Sequence, residues 1–131
     1  MEFKNIHHCS VVVTDMERAV KFYRDVLGLQ EIGIPTTFKP AGAYVRWFQL
    51  GDQHIHLMPA NEPDSISPRH IAIQVDDAQA GRQYFRDRGV QVNEEIPIPG
   101  ADRFTIADPD GNRIEMIEWQ EPYRIVPINP D

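Results

Sequence analysis

The sequence predicts an α+β fold made of two β-α-β-β-β modules, and three observations carry the prediction. The phrase "HCSVVVTD" at residues 8 to 15 returns as "HIAIQVDD" at residues 70 to 77, so that His8 and His70 each stand the same distance before an aspartate, Asp15 and Asp77. Laying Asp15 on Asp77 places Phe22-Tyr23-Arg24-Asp25 on Tyr84-Phe85-Arg86-Asp87 and, after one deletion, Gly28 on Gly89. Within each copy the apolar residues run first at strand period, then at helical period, then at strand period again. A repeat of about 62 residues present twice is too long and too few for a solenoid, so the copies read as two modules sharing one domain.

The elements follow in order. In the first strand Cys9, Val11 and Val13 share one face while His8, Ser10 and Val12 share the other, because side chains alternate along a strand. The greasier face is expected against the helix, which turns His8 away from it. Thr14 with Glu17 has the capping-box pattern, and Met16, Ala19, Val20, Tyr23, Val26 and Leu27 recur at helical spacing up to Gly28, a C-terminal cap. Strand-like runs follow near residues 29 to 37, 42 to 50 and 53 to 58. The first module thus spans about 5 to 58, and "PANEPDSISP" at 59 to 68, with three prolines, reads as a linker. The second module, about 69 to 118, repeats the plan. Ile71, Ile73 and Val75 oppose His70, Ala72 and Gln74; Ala78 and Phe85 keep the helical face although Gly81 and Arg82 interrupt it; Gly89 ends it. Strands are expected near 90 to 96, 102 to 107 and 112 to 118. "ADPDGNR" between the last two reads as a turn without a chemical role. Residues 119 to 131 read as an extended tail.

A chain of 131 residues suffices for one domain that buries roughly 68% of its unfolded surface. The single cysteine, Cys9, excludes an internal disulfide and fits a reducing compartment, so a cytoplasmic protein is expected. No apolar run approaches the roughly 20 residues that cross a bilayer, which argues against a membrane partner. A net charge of -7 without a Lys/Arg cluster argues against nucleic acid. A small organic substrate remains the expected partner.

The chemistry sits at the repeated positions. In "GDQHIHLMP" His56 opposes Ile55 and Leu57, and in "DGNRIEMIEW" Glu115 opposes Ile114 and Met116, so His56 and Glu115 correspond. The duplication therefore relates four positions, His8, His56, His70 and Glu115, from the first and last strands of the modules. Three imidazoles and a carboxylate suit a divalent metal ion (Fe, Zn, Ni, Co or Mn) with coordination positions left for substrate. His54 shares the face of His56, but its counterpart is Arg113, so it reads as a rim or substrate contact. His7 reads as a packing residue and Cys9 as a small buried hydrophobe. Tyr44, Trp47, Phe48 and Trp119 either line an aromatic cup or pack the core. Arg24-Asp25 and Arg86-Asp87 read as solvated helix surface.

The text "HCSVVVTDMERAVKFYRDVLGL", "HIHL", "HIAIQVDD" and "DPDGNRIEM", covering residues 6 to 118, resembles the vicinal oxygen chelate superfamily of glyoxalase I, bleomycin-resistance proteins, fosfomycin-resistance enzymes, methylmalonyl-CoA epimerase and extradiol dioxygenases. The resemblance implies a glyoxalase-like fold, two modules pairing into a cupped mixed sheet with helices outside, and commonly a homodimer. It implies a divalent metal held by His8, His56, His70 and Glu115, with Glu115 as catalytic base. The implied activity is isomerase, lyase or epimerase chemistry through a metal-chelated enolate or oxyanion. An extradiol-type dioxygenase and a non-catalytic drug-sequestering protein are the alternatives. His56 stands where glyoxalase I commonly has a glutamate, which leaves Glu115 as the one carboxylate of the set. Arg46, Arg103 and Arg113 are candidates for binding a phosphonate.

Overall fold

The first helix starts on Asp15, whose side chain accepts the N–H of Arg18 at 3.0 Å, and the second starts on Asp77, which accepts the N–H of Ala80 at 2.9 Å. The repeated aspartate is therefore an N-cap in both copies. The expected Thr14 and Glu17 capping box does not form, because the Thr14 hydroxyl donates to Asp110 instead. These contacts come from a computed structural model that describes residues 1–41, 44–123 and 127–128, with the side chains of 39–41 left out of the description.

The fold is α+β. Among the described residues the chain runs β1 (His8–Val13), α1 (Met16–Val20), a π-helical stretch (Lys21–Val26), β2 (Gln30–Ile32), a 3-10 turn (Thr36–Ala41), β3 (Arg46–Leu50) and β4 (Gln53–Pro59). It continues with β5 (His70–Gln74), α2 (Ala78–Asp87), β6 (Asn93–Glu94), β7 (Ala101–Ala107) and β8 (Arg113–Trp119). Two four-stranded sheets result, ordered β1-β4-β3-β2 and β5-β8-β7-β6, so each copy of the repeat places its first strand beside its last.

Several expected elements are shorter. The run expected over 29 to 37 pairs only as Gln30–Ile32, since Gly33 and Pro35 interrupt the ladder and proline has no N–H to give it. The run expected over 42 to 50 pairs from Arg46, and residues 42 and 43 lie outside the described residues. The run expected over 90 to 96 pairs only at Asn93 and Glu94. Trp119 closes β8 rather than opening a tail, and of the expected tail residues 124–126 and 129–131 lie outside the described residues.

The one-residue deletion in the repeat has a structural counterpart. Gly28 follows Asp15 by thirteen positions and Gly89 follows Asp77 by twelve. The longer copy takes up its extra residue by widening to π spacing, with the N–H of Leu27 bonded to the carbonyl of Phe22 at 2.9 Å. Gly28 then turns the chain at a φ of +74°, open to glycine at little cost.

By contacts the chain divides into two compact units, Met1–Ile71 with Ala107–Arg113, and Ala72–Ile106 with Ile114–Asp131. In the first, Val13, Val20, Tyr23, Phe48, Ile55 and Leu57 form the buried core. The "DPDGN" turn belongs to this unit because Asp108, 4% exposed, is a hydrogen-bond hub. Its Oδ2 accepts the Tyr23 hydroxyl at 2.8 Å and the Asn112 amide at 2.8 Å, while its Oδ1 accepts the N–H groups of Asp110 and Asn112. Asn112 also donates to the carbonyl of Val12 at 2.8 Å. Burial and the Asp108 carboxylate push the Tyr23 hydroxyl far above its ordinary pKa, so it remains a donor.

In the second unit, the two residues that break the apolar stripe of α2 do so for packing reasons. Gly81 lets the Phe104 ring come close: a Cβ there would lie 3.2 Å from its Cζ. Arg82 is buried, but its guanidinium is bound by Glu94 and Asp102, reaches the carbonyl of Arg103 at 3.1 Å and lies 5.1 Å from the centre of the Phe104 ring.

Asp108→Ala is expected to cost about 3 kcal/mol in urea unfolding, because it leaves several buried donors unpaired, and Tyr23→Phe about 1 kcal/mol. A destabilisation below that of Tyr23→Phe for the alanine variant would show that the turn is not held through Asp108.

Candidate functional site

The histidines of the first unit are gathered by strand register. β1 pairs parallel with β4, placing His54 opposite His8 and His56 opposite Ser10; β3 pairs antiparallel with β4, placing Trp47 opposite His56. Residues opposite one another in a ladder share a face. His8, His54, His56 and Trp47 therefore lie on the face away from Val11, Val13, Ile55 and Leu57. The alternation read from the sequence holds here.

On that face His56 is sandwiched. Its ring stacks on His8 with centroids 4.0 Å apart and on Trp47 with centroids 3.9 Å apart, the Trp47 and His56 planes only 3° from parallel. His54 Nδ1 lies 3.3 Å from His56 Nε2, and His7 Nδ1 lies 2.9 Å from His8 Nδ1. In each close pair one nitrogen must carry a proton and the other offer a lone pair. His56 is 5% exposed, whereas His8 is open to solvent. Burial first, and the neighbouring His8, His54 and His7 after it, lower the pKa of His56 to about 4. His56 is thus a neutral imidazole at pH 7, the form a metal ion binds.

The other two expected ligands have defined surroundings. His70 opens β5, exposed, with Nδ1 2.9 Å from the carbonyl of Pro68. A carbonyl only accepts, so Nδ1 is the donor and the lone pair of the neutral ring falls on Nε2, the arrangement that commonly orients metal-binding histidines. Glu115 lies in the second unit, 6% exposed, and accepts a hydrogen bond from Arg103 Nη1 at 2.8 Å. Arg103 is further held by the carbonyl of Ile96 through Nε at 3.1 Å and Nη2 at 2.7 Å. Among the described residues no three or more of His, Cys, Asp and Glu gather into a group able to hold a metal ion. The chemistry of the donor set nevertheless fits one: a neutral buried imidazole, a second imidazole with Nε2 as its lone-pair nitrogen, and a buried carboxylate already paired with a cation.

Of the four aromatic candidates, Trp47 reaches the histidines, Phe48 is fully buried core, Tyr44 is exposed, and Trp119 meets Tyr123 edge to face at 5.3 Å. Phe38, unremarked in the sequence, buttresses Trp47 edge to face at 5.7 Å. Arg103 as the partner of Glu115 was also not foreseen; the signal was the "DPDGN" turn, since a hairpin folded there brings the residues before it alongside those after it. Arg46, another phosphonate candidate, is engaged by Glu31. Cys9 is half-buried with its thiol pushed up by burial, in keeping with a packing role.

The profile of the Glyoxalase/Bleomycin resistance protein/Dioxygenase superfamily matches residues 5–116. The chain belongs to this superfamily. A lactoylglutathione lyase of Haemophilus influenzae is 32% identical, the alignment covering 86% of this chain and 91% of that protein. A metallothiol transferase of Staphylococcus epidermidis is 30% identical, over 88% of this chain and 82% of that protein. The structure matches a glyoxalase family protein from Bacillus anthracis with a TM-score of 0.82 at 29% identity, covering 90% of this chain and 97% of the other. These superfamily relatives include enzymes by name, a lyase and a transferase.

The depressed pKa of His56 has a signed consequence. The unfolded chain takes up a proton near pH 6.5 that the folded chain refuses until about pH 4, so this contribution to stability is present above pH 6.5 and is lost as pH falls toward 4. The melting temperature of chelator-treated protein should decline across that window. His56→Phe, which keeps a ring in the stack, should flatten the decline; an unchanged slope would place the titration elsewhere.

Proposed function

We propose that this superfamily member is a divalent-metal-dependent enzyme for a small organic substrate, working by isomerase, lyase or epimerase chemistry. His8, His56, His70 and Glu115 are the proposed ligands, and a homodimer the proposed assembly, its metal sites completed within one chain or by exchange between two. The observation that carries the reading is the burial of His56 in a stack between His8 and Trp47, which disfavours its protonated form. A lone pair held ready in a shielded place favours a metal ion over a proton.

The residues divide the work. A bound divalent ion supplies Lewis-acid stabilisation of negative charge developing on a substrate oxygen. Trp47 covers one face of His56 and limits the approach of water to it. The Pro68 carbonyl aims His70 through Nδ1. Glu115, hydrogen-bonded by Arg103, is the base that accepts the substrate proton.

Protein purified without chelators is expected to hold roughly one divalent ion per chain by elemental analysis, and His8→Ala or His56→Ala to lose it. Glu115→Gln should retain weakened binding but no turnover. A chain that neither contains metal nor takes up zinc or nickel at micromolar concentration overturns the proposal in favour of ligand sequestration. Oxygen-labile ferrous iron would redirect it to dioxygenase chemistry.

A further inference from the structure

We propose that Phe38 is a positioning residue of the histidine face: set crosswise against the indole of Trp47, it holds that ring flat on His56 and so shuts water and ligands out from one face of the imidazole. The inference rests on the reading of His56 as a working residue of the site and adds to it the residue that keeps its ring covered.

Strand register sets the wall. Ile32, Trp47, His56 and Ser10 lie opposite one another in a single row across β2, β3, β4 and β1, and residues in such a row share a face. Trp47 stands between Ile32 and His56 in that row, its plane 3° from that of the imidazole and the centroids 3.9 Å apart. Stacking by itself does not hold a ring in place, because parallel aromatic rings slide between offset arrangements of similar energy. A change of rotamer at Trp47 would uncover the imidazole, so the indole needs a stop. Phe38 supplies it. It sits half-buried on the 3-10 turn Thr36–Ala41, with its ring plane 86° from that of Trp47 and 5.7 Å between centroids. Rings set crosswise pack edge to face, the arrangement their quadrupoles favour, and the bulk of Phe38 lies against an indole that would otherwise swing off. The effect is visible at the imidazoles. His56 is 5% exposed although His8, stacked on its other face with centroids 4.0 Å apart, is itself open to solvent. The lasting cover of His56 is therefore on the Trp47 side.

The test treats chelator-stripped protein with diethyl pyrocarbonate, which acylates accessible imidazole nitrogens, and locates the modified histidines by mass spectrometry. In the wild type His8 is expected to react first and His56 to lag by roughly tenfold or more, since a buried ring reacts only through local opening. Phe38→Ala should speed His56 by roughly two- to tenfold, the change in an opening equilibrium that the loss of one edge-to-face pair makes. Phe38→Tyr, which keeps the ring, should restore the wild-type rate. Cys9, half-buried and facing the other side of β1, reports general loosening, and its reaction with a thiol reagent should be the same in wild type and alanine variant. A wild-type His56 as reactive as His8, or a His56 no faster in Phe38→Ala, overturns the proposal. So does a rise at His56 matched by an equal rise at Cys9, which a merely structural role would produce. Should the alanine variant not fold, Phe38→Leu decides: a faster His56 supports the crosswise ring, and wild-type protection overturns it. Zinc uptake is measured separately. A chain that takes up no zinc overturns the reading of His56 as a ligand, while the acylation rates, taken without metal, still decide Phe38.

Discussion

The parallel ladder between β1 and β4, with His54 opposite His8 and His56 opposite Ser10, is the constraint on which the histidine face depends. A strand has two faces, and a slip of one residue exchanges them. Val11, Val13, Ile55 and Leu57 are buried on the far side of these strands, so any shift would carry the core into solvent and the imidazoles into the core. The hydrophobic effect, acting on the aliphatic face, thereby holds the polar face in register. The imidazoles need no contact of their own to be placed.

Placement then becomes chemistry through burial. His8 and His56 are the same residue type on neighbouring strands, yet His8 is open to water and His56 is covered on both faces of its ring. Desolvation disfavours the charged imidazolium, and nearby imidazoles disfavour it further. A position chosen by strand period holds a neutral imidazole because a tryptophan on the third strand lies flat against it. The carboxylate at the corresponding position of the second copy is treated differently: Glu115 is buried with a cation at hand in Arg103.

The two copies of the repeat share a topology and differ in how they close it. In the first, an extra residue in the helix is absorbed as π spacing, and Tyr23 passes its hydroxyl proton to no one but shares it with Asp108. In the second, Arg82 takes a buried place on the helix where an apolar residue was expected, held by Glu94 and Asp102. The duplication preserved strand order and the N-capping aspartates, which backbone geometry demands, and let the side-chain solutions diverge.

Much of this was legible from the chain alone. Alternation around His8 and His56 told which side chains leave the apolar face, and the matched phrases at residues 8 to 15 and 70 to 77 told that the strands recur in the same order. Those are properties of periodicity, which one-dimensional text carries in full. The stacking of Trp47 on His56, the reach of Arg103 to Glu115 and the capture of the "DPDGN" turn by Tyr23 were not legible, because each joins residues on different strands or distant segments. Such contacts depend on register and burial, which arise only when the sheets pair, and the pKa of His56 depends in turn on that burial. The sequence by itself determined the residue types and the faces they occupy; the tertiary structure alone decided which of them touch and in what protonation state.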